Sequence, residues 1–254
     1  EEDWRKDWTR KMKRHTDRHG MLHESLQESS HDAWIHLYRQ NSYSREVQIS
    51  YYLEGEMAIF CLDVELRKRS NGSYGMDDVM AKLYHDFRLG TKNPGITHKD
   101  IRKALVNTPG GRRLGNLLDS LVGEKKVPDI HSAFEKLGLE LKSEKKEKGA
   151  WIGLNLTSLA GILKVRTHKA NSPARELIHT GDEIIAVNGI RVKTQSELSA
   201  AIYGLKDKKS KFTIAREGVV SNVEITPIEN PNHLVKLEGS GNKLWNDIKS
   251  SKRS

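Results

Sequence analysis

The spacing of the hydrophobic residues changes near residue 150, and this change divides the chain into two parts of different structural class. Before that point, apolar residues recur at the three-to-four residue spacing of amphipathic helices. After it, they alternate or run without interruption over four to seven residues, as strands do. The 254 residues are enough to build a core in each part. We therefore predict a multidomain fold, with an all-helical part followed by an α+β part.

The first part, residues 1–141, is predicted to be a helical bundle. A single apolar stripe runs along residues 76–87, and Asp77 and Asp78 near its start suit the positive end of a helix dipole. Residues 53–66 are apolar on most sides, which predicts a central, buried helix. Thr97 and Asp100 resemble a capping box that opens a further helix. Two more helices are expected over residues 114–121 and 130–137.

The second part is predicted to be a compact module over residues 150–229. Four strand patterns cover residues 162–167, 183–187, 212–216 and 219–225, and helices are expected at residues 173–178 and 195–204. Residues 142–149 are polar, of mixed charge and without an apolar side chain, so we predict a linker there. Residues 230–254 are predicted to be a polar C-terminal tail, with a short helix expected around Trp245.

Composition excludes several classes of protein. The net charge is +9, but opposite charges are interleaved almost everywhere, and no long one-signed stripe with stacking aromatics is present. We therefore expect a solvated basic surface and no nucleic-acid partner. No apolar run approaches the roughly 18 residues of a membrane span. No signal peptide is expected, and the start at Glu1 rather than at a methionine suggests a fragment. A single cysteine, Cys61, forbids an internal disulfide, and it is compatible with a bacterial cytoplasm or periplasm.

The second part carries a specific signature. Residues 172–174 (SPA) and 180–189 (TGDEIIAVNG), followed by Val192, closely resemble a PDZ domain of the kind associated with bacterial proteases. The resemblance covers about residues 150–228. It implies a partly open β-barrel with two helices, and a groove that binds the C-terminus of a peptide or protein.

The resemblance also implies which residues form that groove. In the PDZ family, an aromatic-aliphatic-Gly-aliphatic loop binds a peptide carboxylate through its backbone N–H groups. Trp151, Ile152, Gly153 and Leu154 fit this pattern, and a glycine lets the main chain approach the anion closely. The groove would lie between the strand that follows and the helix that carries its lining residues, Ala201 and Ile202. Two alternatives remain open: these loop residues are domain-edge core, or the module rests against its own peptidase half.

The first part resembles the C-terminal helical region of the glycyl aminopeptidases, which are zinc metallopeptidases with a C-terminal PDZ domain. The resemblance rests on residues 28–34 (ESSHDAW), 50–55 (SYYLEG) and 62–67 (LDVELR). Two positions depart from the family: His31 stands where an aromatic residue is usual, and Glu54 where a lysine is common. The order of the two parts agrees with that family.

Such peptidases hold zinc with a His-Glu-x-x-His motif on one helix. This motif does not occur in the sequence, because His23 and Glu24 are followed by Ser25, Leu26 and Gln27. We therefore expect no metal site and no cofactor in this chain, zinc in the parent protein, and no activity from the chain alone. His15, His19 and His23 have helical spacing, but Gly20 interrupts it, so we expect solvated histidines there.

One catalytic role is implied by the resemblance. In related zinc aminopeptidases, a tyrosine in a Tyr-x-Lys/Glu-Gly setting donates a hydrogen bond to the tetrahedral oxyanion. Tyr52 matches that setting, and Tyr51 is the neighbouring alternative. The sequence thus predicts the C-terminal fragment of a zinc aminopeptidase with a peptide-binding PDZ domain. The alternative is a non-enzymatic PDZ adaptor in which the helical half is only a scaffold.

Overall fold

The computed structural model describes residues 1–16, 23–36, 38–39, 44–92, 94–145, 149–231 and 233–250. The first part is helical, as predicted. Its helices are α1 (Glu2–Thr16), α2 (Leu26–His31), α3 (Ala33–His36), α4 (Ser44–Val47), α5 (Tyr51–Arg69), α6 (Met76–Phe87), α7 (His98–Asn107), α8 (Gly115–Gly123) and α9 (Ile130–Lys136).

Helix α5 is the centre of this part. Its side chains enter two separate hydrophobic cores, because apolar residues surround the helix on most sides. One core joins Met57 and Val64 to Phe134 of α9, and the other joins Leu62 and Leu66 to the helices α6, α7 and α8. The predicted capping box of α7 is present, with the Thr97 side chain accepting a hydrogen bond from the Asp100 amide.

Cys61 lies in the first core and is buried. Burial raises the pKa of its thiol to about 12, because the charged thiolate is poorly solvated there. The side chain therefore acts as a small apolar filler.

Strand β1 (Glu140–Lys145) corrects the prediction of a linker at residues 142–149. It pairs antiparallel with β10 (His233–Glu238), and Leu141 faces Leu237 in the register. Backbone hydrogen bonds hold the two strands, so polar side chains do not prevent the pairing. Opposite charges also meet across it, since the ammonium group of Lys142 lies 2.9 Å from a Glu238 carboxylate oxygen.

The C-terminal residues are likewise more than a polar tail. After β10 the chain forms α11 (Lys243–Ser250), which contains the predicted short helix around Trp245. Trp245 is only 3% exposed and lies in the first core, with its ring centre 4.8 Å from that of Trp4. The last elements thus return to the helical part and complete its hydrophobic core, and the strands β1 and β10 connect that part to the second one.

The second part is an open antiparallel sheet with one helix packed on it. The sheet order is β3 (Leu154–Leu159), β4 (Ile162–His168), β5 (Glu183–Val187), β7 (Ser210–Arg216) and β8 (Val219–Ile225), and β6 (Ile190–Arg191) pairs with β5. A short ladder joins β2 (Ala150–Trp151) to β9 (Ile228–Glu229), and the helix is α10 (Gln195–Ile202). In the described residues the strands do not close into a barrel.

The helix predicted at residues 173–178 is a series of turns. The amide of Ile178 donates to the carbonyl of Ala174, but the chain then turns at Thr180 and Gly181 before a helix can extend. Asp182 fixes this turn, because its Oδ2 accepts a hydrogen bond from the amide of His179 at 2.7 Å. The guanidinium of Arg216 holds the carboxylate in place by donating to both of its oxygens, at 2.9 and 2.8 Å.

Candidate functional site

A cleft of about 740 Å³ lies between the two parts of the molecule. One wall is formed by the loop of residues 151–154, strand β3 and helix α10. The other wall includes residues of helix α1, among them Met12 and Thr16. The groove predicted for the second part is therefore also bordered by the helical part. Its contribution comes from α1, a helix not predicted individually from the sequence, and from His131 of α9.

The loop at the end of the cleft is held by the residues after β4. The Ser172 hydroxyl donates to the carbonyl of Ile152 at 2.8 Å, and the Lys169 amide donates to the carbonyl of Gly153 at 2.8 Å. Both carbonyl oxygens are thus bound internally, which fixes the conformation of the loop. Ser172 belongs to the PDZ-like signature at residues 172–174, but this role of its hydroxyl was not predicted from the sequence.

Gly153 is required here by its conformation and by lack of space. Its φ is +74°, in the left-handed region, and a Cβ atom would lie 2.5 Å from the Cα of Ser172. Any side chain would therefore strain the loop and displace the segment that holds it. The resemblance implied that the missing side chain of Gly153 makes room for an anion, whereas the group that lies closest to a Cβ at this position is Ser172.

Most of the predicted groove residues line the cleft. Trp151, Ile152, Gly153 and Leu154 all do so, and they are followed on α10 by Leu198, Ser199 and Ile202. Ala201 is not among the lining residues and packs against the core of the second part. Helical geometry explains the difference, because residues 195, 198, 199 and 202 share a face and residue 201 does not.

Tyr52, the predicted oxyanion donor, lies at the start of α5 and is 63% exposed. Its hydroxyl is 3.5 Å from that of Tyr38, and its ring centre is 4.2 Å from that of Tyr51. Hydrogen bonds from the hydroxyls of Tyr38 and Tyr51 hold the pKa of Tyr52 below its usual value. The hydrogen bond with Tyr52 raises the pKa of Tyr51. Tyr38 was missed, because it lies outside the motifs that carry the resemblance.

The histidines predicted to be solvated are not all so. His15 is buried, and its Nδ1 lies 2.8 Å from a carboxylate oxygen of Glu54, which is itself 1% exposed. This pair joins α1 to α5. It explains why a glutamate stands at position 54, where a lysine is common in the family. His23 is exposed, and His19 lies outside the described residues.

The described residues contain neither a group of metal ligands nor a helix that could span a membrane. Within the described ranges, no three His, Cys, Asp or Glu side chains are grouped so that they could hold a metal ion. The zinc of the glycyl aminopeptidases therefore does not fit the part of the chain that the structure describes. Over the same ranges, no helix has both the length and the apolar character that a membrane crossing needs.

Comparisons with known proteins agree with the two resemblances. Residues 1–58 match the model of the M61 glycyl aminopeptidase family, and residues 137–226 match that of the PDZ domain. No curated protein sequence matches the chain. The resemblance to both families is thus confirmed over these ranges, and the chain is peptidase-related with a PDZ domain.

One solved structure has the same fold over most of this chain. An aminopeptidase N family protein from Idiomarina loihiensis is similar over 94% of this chain, with a TM-score of 0.80 and 20% identity. This chain spans 42% of the length of that protein. The PDZ domain of a carboxy-terminal protease from Vibrio cholerae, in complex with peptide, covers 34% of this chain and all of its own, with 21% identity and a TM-score of 0.30.

Proposed function

We propose that the chain is the peptide-binding C-terminal portion of a glycyl aminopeptidase-like enzyme. The cleft beside residues 151–154 would bind the C-terminus of a peptide or protein, and the helical part would contribute Tyr52 to the substrate site of the whole enzyme. The observation that carries the proposal is the cleft itself, in which a fixed glycine loop, a strand and a helix meet.

The loop is suited to hold a carboxylate. Because the carbonyls of Ile152 and Gly153 are bound by Ser172 and Lys169, we propose that the amide N–H groups of Ile152 and Gly153 bind the carboxylate. The apolar side chains of Leu198 and Ile202 line the same cleft and would receive the last side chain of the peptide. The peptide would add to the edge of the sheet beside β3, which is an edge strand in the described sheet.

The test compares peptides with free and amidated C-termini. Fluorescein-labelled hexapeptides that end in Ala, Val, Leu or Ile are titrated with the whole chain, and binding is followed by fluorescence anisotropy. Because amidation removes the charge that the loop is proposed to hold, we expect it to weaken the best peptide at least tenfold. Equal binding of the two forms would rule out carboxylate binding. No binding of either form would favour a module that only rests against its own helical part.

A pair of variants locates the binding. Ser199→Phe places a large ring in the cleft without touching the loop, and Ser196→Phe makes the same change at an exposed position of α10 that does not line the cleft. We expect the first variant to abolish peptide binding and the second to retain it.

The proposed role of Tyr52 needs a different experiment. The whole enzyme would have to supply the hydrolytic centre, because the described residues offer no group of three zinc ligands. Tyr52 is favoured over Tyr51 because its side chain is 63% exposed, whereas that of Tyr51 is partly buried and packs against the second core. In the full-length enzyme, Tyr52→Phe should lower kcat on glycyl anilides by about a hundredfold, as loss of an oxyanion donor does. Tyr51→Phe should have a much smaller effect. The present chain, with zinc added, should show no chelator-sensitive turnover.

A further inference from the structure

The charge of the cleft is one-sided. Three cationic side chains line it: Arg10 and Lys13 on helix α1, and Lys169 beside the glycine loop. His131 also lines the cleft, whereas none of the described lining residues is an aspartate or a glutamate. Elsewhere in the chain opposite charges are interleaved, so an uncompensated cluster of this kind is a local property of the cleft.

On helix α1, the lysines away from the cleft have ion-pair partners, and the basic residues at the cleft have fewer. Away from the cleft, Lys6 pairs with Glu2 at 2.6 Å, and Lys11 pairs with Asp7 and Glu56. At the cleft, the ammonium group of Lys13 has no ion pair with any residue in the described ranges. The same holds for Lys169.

Arg10 makes one ion pair, with Asp7 at 3.2 Å, and Asp7 does not line the cleft. The cationic groups that face the cleft are therefore those left without full compensation.

From this arrangement we infer that the peptide bound in the cleft is acidic: one or more aspartate or glutamate residues precede its C-terminus, and Lys13 of the helical part and Lys169 bind them. The inference rests on the proposed peptide-binding function and adds the class of ligand. Helix α1 thereby contributes to specificity, so the two parts of the chain form one binding site. An apolar floor that includes Ile152, Leu154 and Ile202 favours a peptide over a nucleic acid. Two aromatic residues line the cleft, but Trp151 is buried, so among the described lining residues Tyr203 alone offers an exposed ring, whereas a single strand stacks successive bases on several rings.

The test uses two matched peptides and three variants. The probes are fluorescein-labelled Ala-Ala-Glu-Glu-Ala-X and Ala-Ala-Gln-Gln-Ala-X, both with free C-termini, where X is the last residue preferred in the screen above. The proteins are the whole chain and its Lys13→Gln, Lys169→Gln and Lys6→Gln variants. Lys6 is the matched control, because it lies on the same helix, has the same charge and does not line the cleft.

For the unmodified chain at low salt, we expect the glutamate peptide to bind about tenfold more tightly than the glutamine peptide, since charge complementarity acts at close range. This preference should fall to about threefold in Lys13→Gln and in Lys169→Gln, and should persist in Lys6→Gln. Added salt should reduce it. Affinity for the glutamine peptide should remain nearly unchanged, which shows that the cleft is intact in each variant.

Four results would overturn the inference. The first is equal affinity for the glutamate and glutamine peptides, which would leave the proposed function standing. The second is a preference for the glutamate peptide that neither Lys13→Gln nor Lys169→Gln reduces, which would also leave it standing. The third is competition by nucleic acid. If a single-stranded oligonucleotide displaces the labelled glutamate peptide at a lower concentration than the unlabelled peptide does, the cleft binds nucleic acid instead. If neither peptide binds and no peptide of the screen does, the proposed function fails together with the inference.

Discussion

Replacing Trp245 with alanine should destabilise the helical part of the molecule, although this residue lies near the C-terminus and beyond the PDZ domain. Its side chain is 3% exposed and lies in the core that also contains Trp8, Phe134 and Leu237. If the C-terminal elements are part of this core, removing the indole ring leaves a cavity inside the helical bundle.

The magnitude follows from two opposing contributions. A buried tryptophan removes about 200 Å² from water, and core substitutions of tryptophan by alanine cost about 4 kcal/mol. The indole Nε1 of Trp245 is buried and has no hydrogen-bond partner in the described part of the chain. Removing that N–H group should recover about 1 kcal/mol. We therefore expect a loss of about 3 kcal/mol for Trp245→Ala, and a change below about 1 kcal/mol for Trp245→Phe, which keeps an aromatic ring.

Urea denaturation followed by circular dichroism at 222 nm measures the effect, because helices dominate that signal. With a slope of about 2 kcal/mol per molar urea, the midpoint should fall by about 1.5 M in Trp245→Ala. Lys243→Ala is the control, since Lys243 is exposed on the same helix. A midpoint shift in Trp245→Ala no larger than in this control would refute the packing of α11 in the helical core.

Three further predictions concern the second part of the chain. Burial raises the pKa of Asp182, but the ion pair with Arg216 and the hydrogen bond from the His179 amide together outweigh burial and hold that pKa below the ordinary value. The stabilisation from this pair should be complete above about pH 4 and be lost as the pH falls through the lowered pKa, and Asp182→Asn should flatten this acid dependence of the melting temperature. Gly153→Ala should lower the melting temperature of the PDZ domain and weaken peptide binding, because its Cβ would collide with Ser172; unchanged melting would contradict the described loop. A protease site inserted after residue 148 should allow the chain to be cut once. The two products should still co-elute on size exclusion, because β10 and α11 stay bound to the first part. Elution as two separate species would contradict the β1–β10 pairing.

Local patterns were enough to predict much of the fold. The apolar stripe that gives α6, the all-round apolar character of α5 and the capping residue Thr97 each act within one element, so the sequence displays them directly. The strands of the second part and the loop around Gly153 were likewise found from short motifs.

Features that depend on distant partners were missed. Strand β1 is polar, and it forms because β10 pairs with it some 90 residues later in the chain. A helix around Trp245 could be predicted, but the burial of Trp245 could not. It is buried because β10 brings the chain back to the helical part, where α11 then packs in the first core. The contribution of Lys13 to the cleft required the packing of α1 beside the PDZ domain, which no motif indicates.

Photo-crosslinking tests the central claim, that a peptide C-terminus binds between the PDZ domain and helix α1. A peptide of the type selected above carries a benzophenone side chain three residues before its free C-terminus, and the cross-linked sites in the whole chain are identified by mass spectrometry. We predict cross-links to residues 9–16 of α1 and to β3 or α10, with a much lower yield from the amidated peptide. Cross-links confined to another surface, such as that around Tyr38 and Tyr52, or equal yields from the two peptides, would contradict the account.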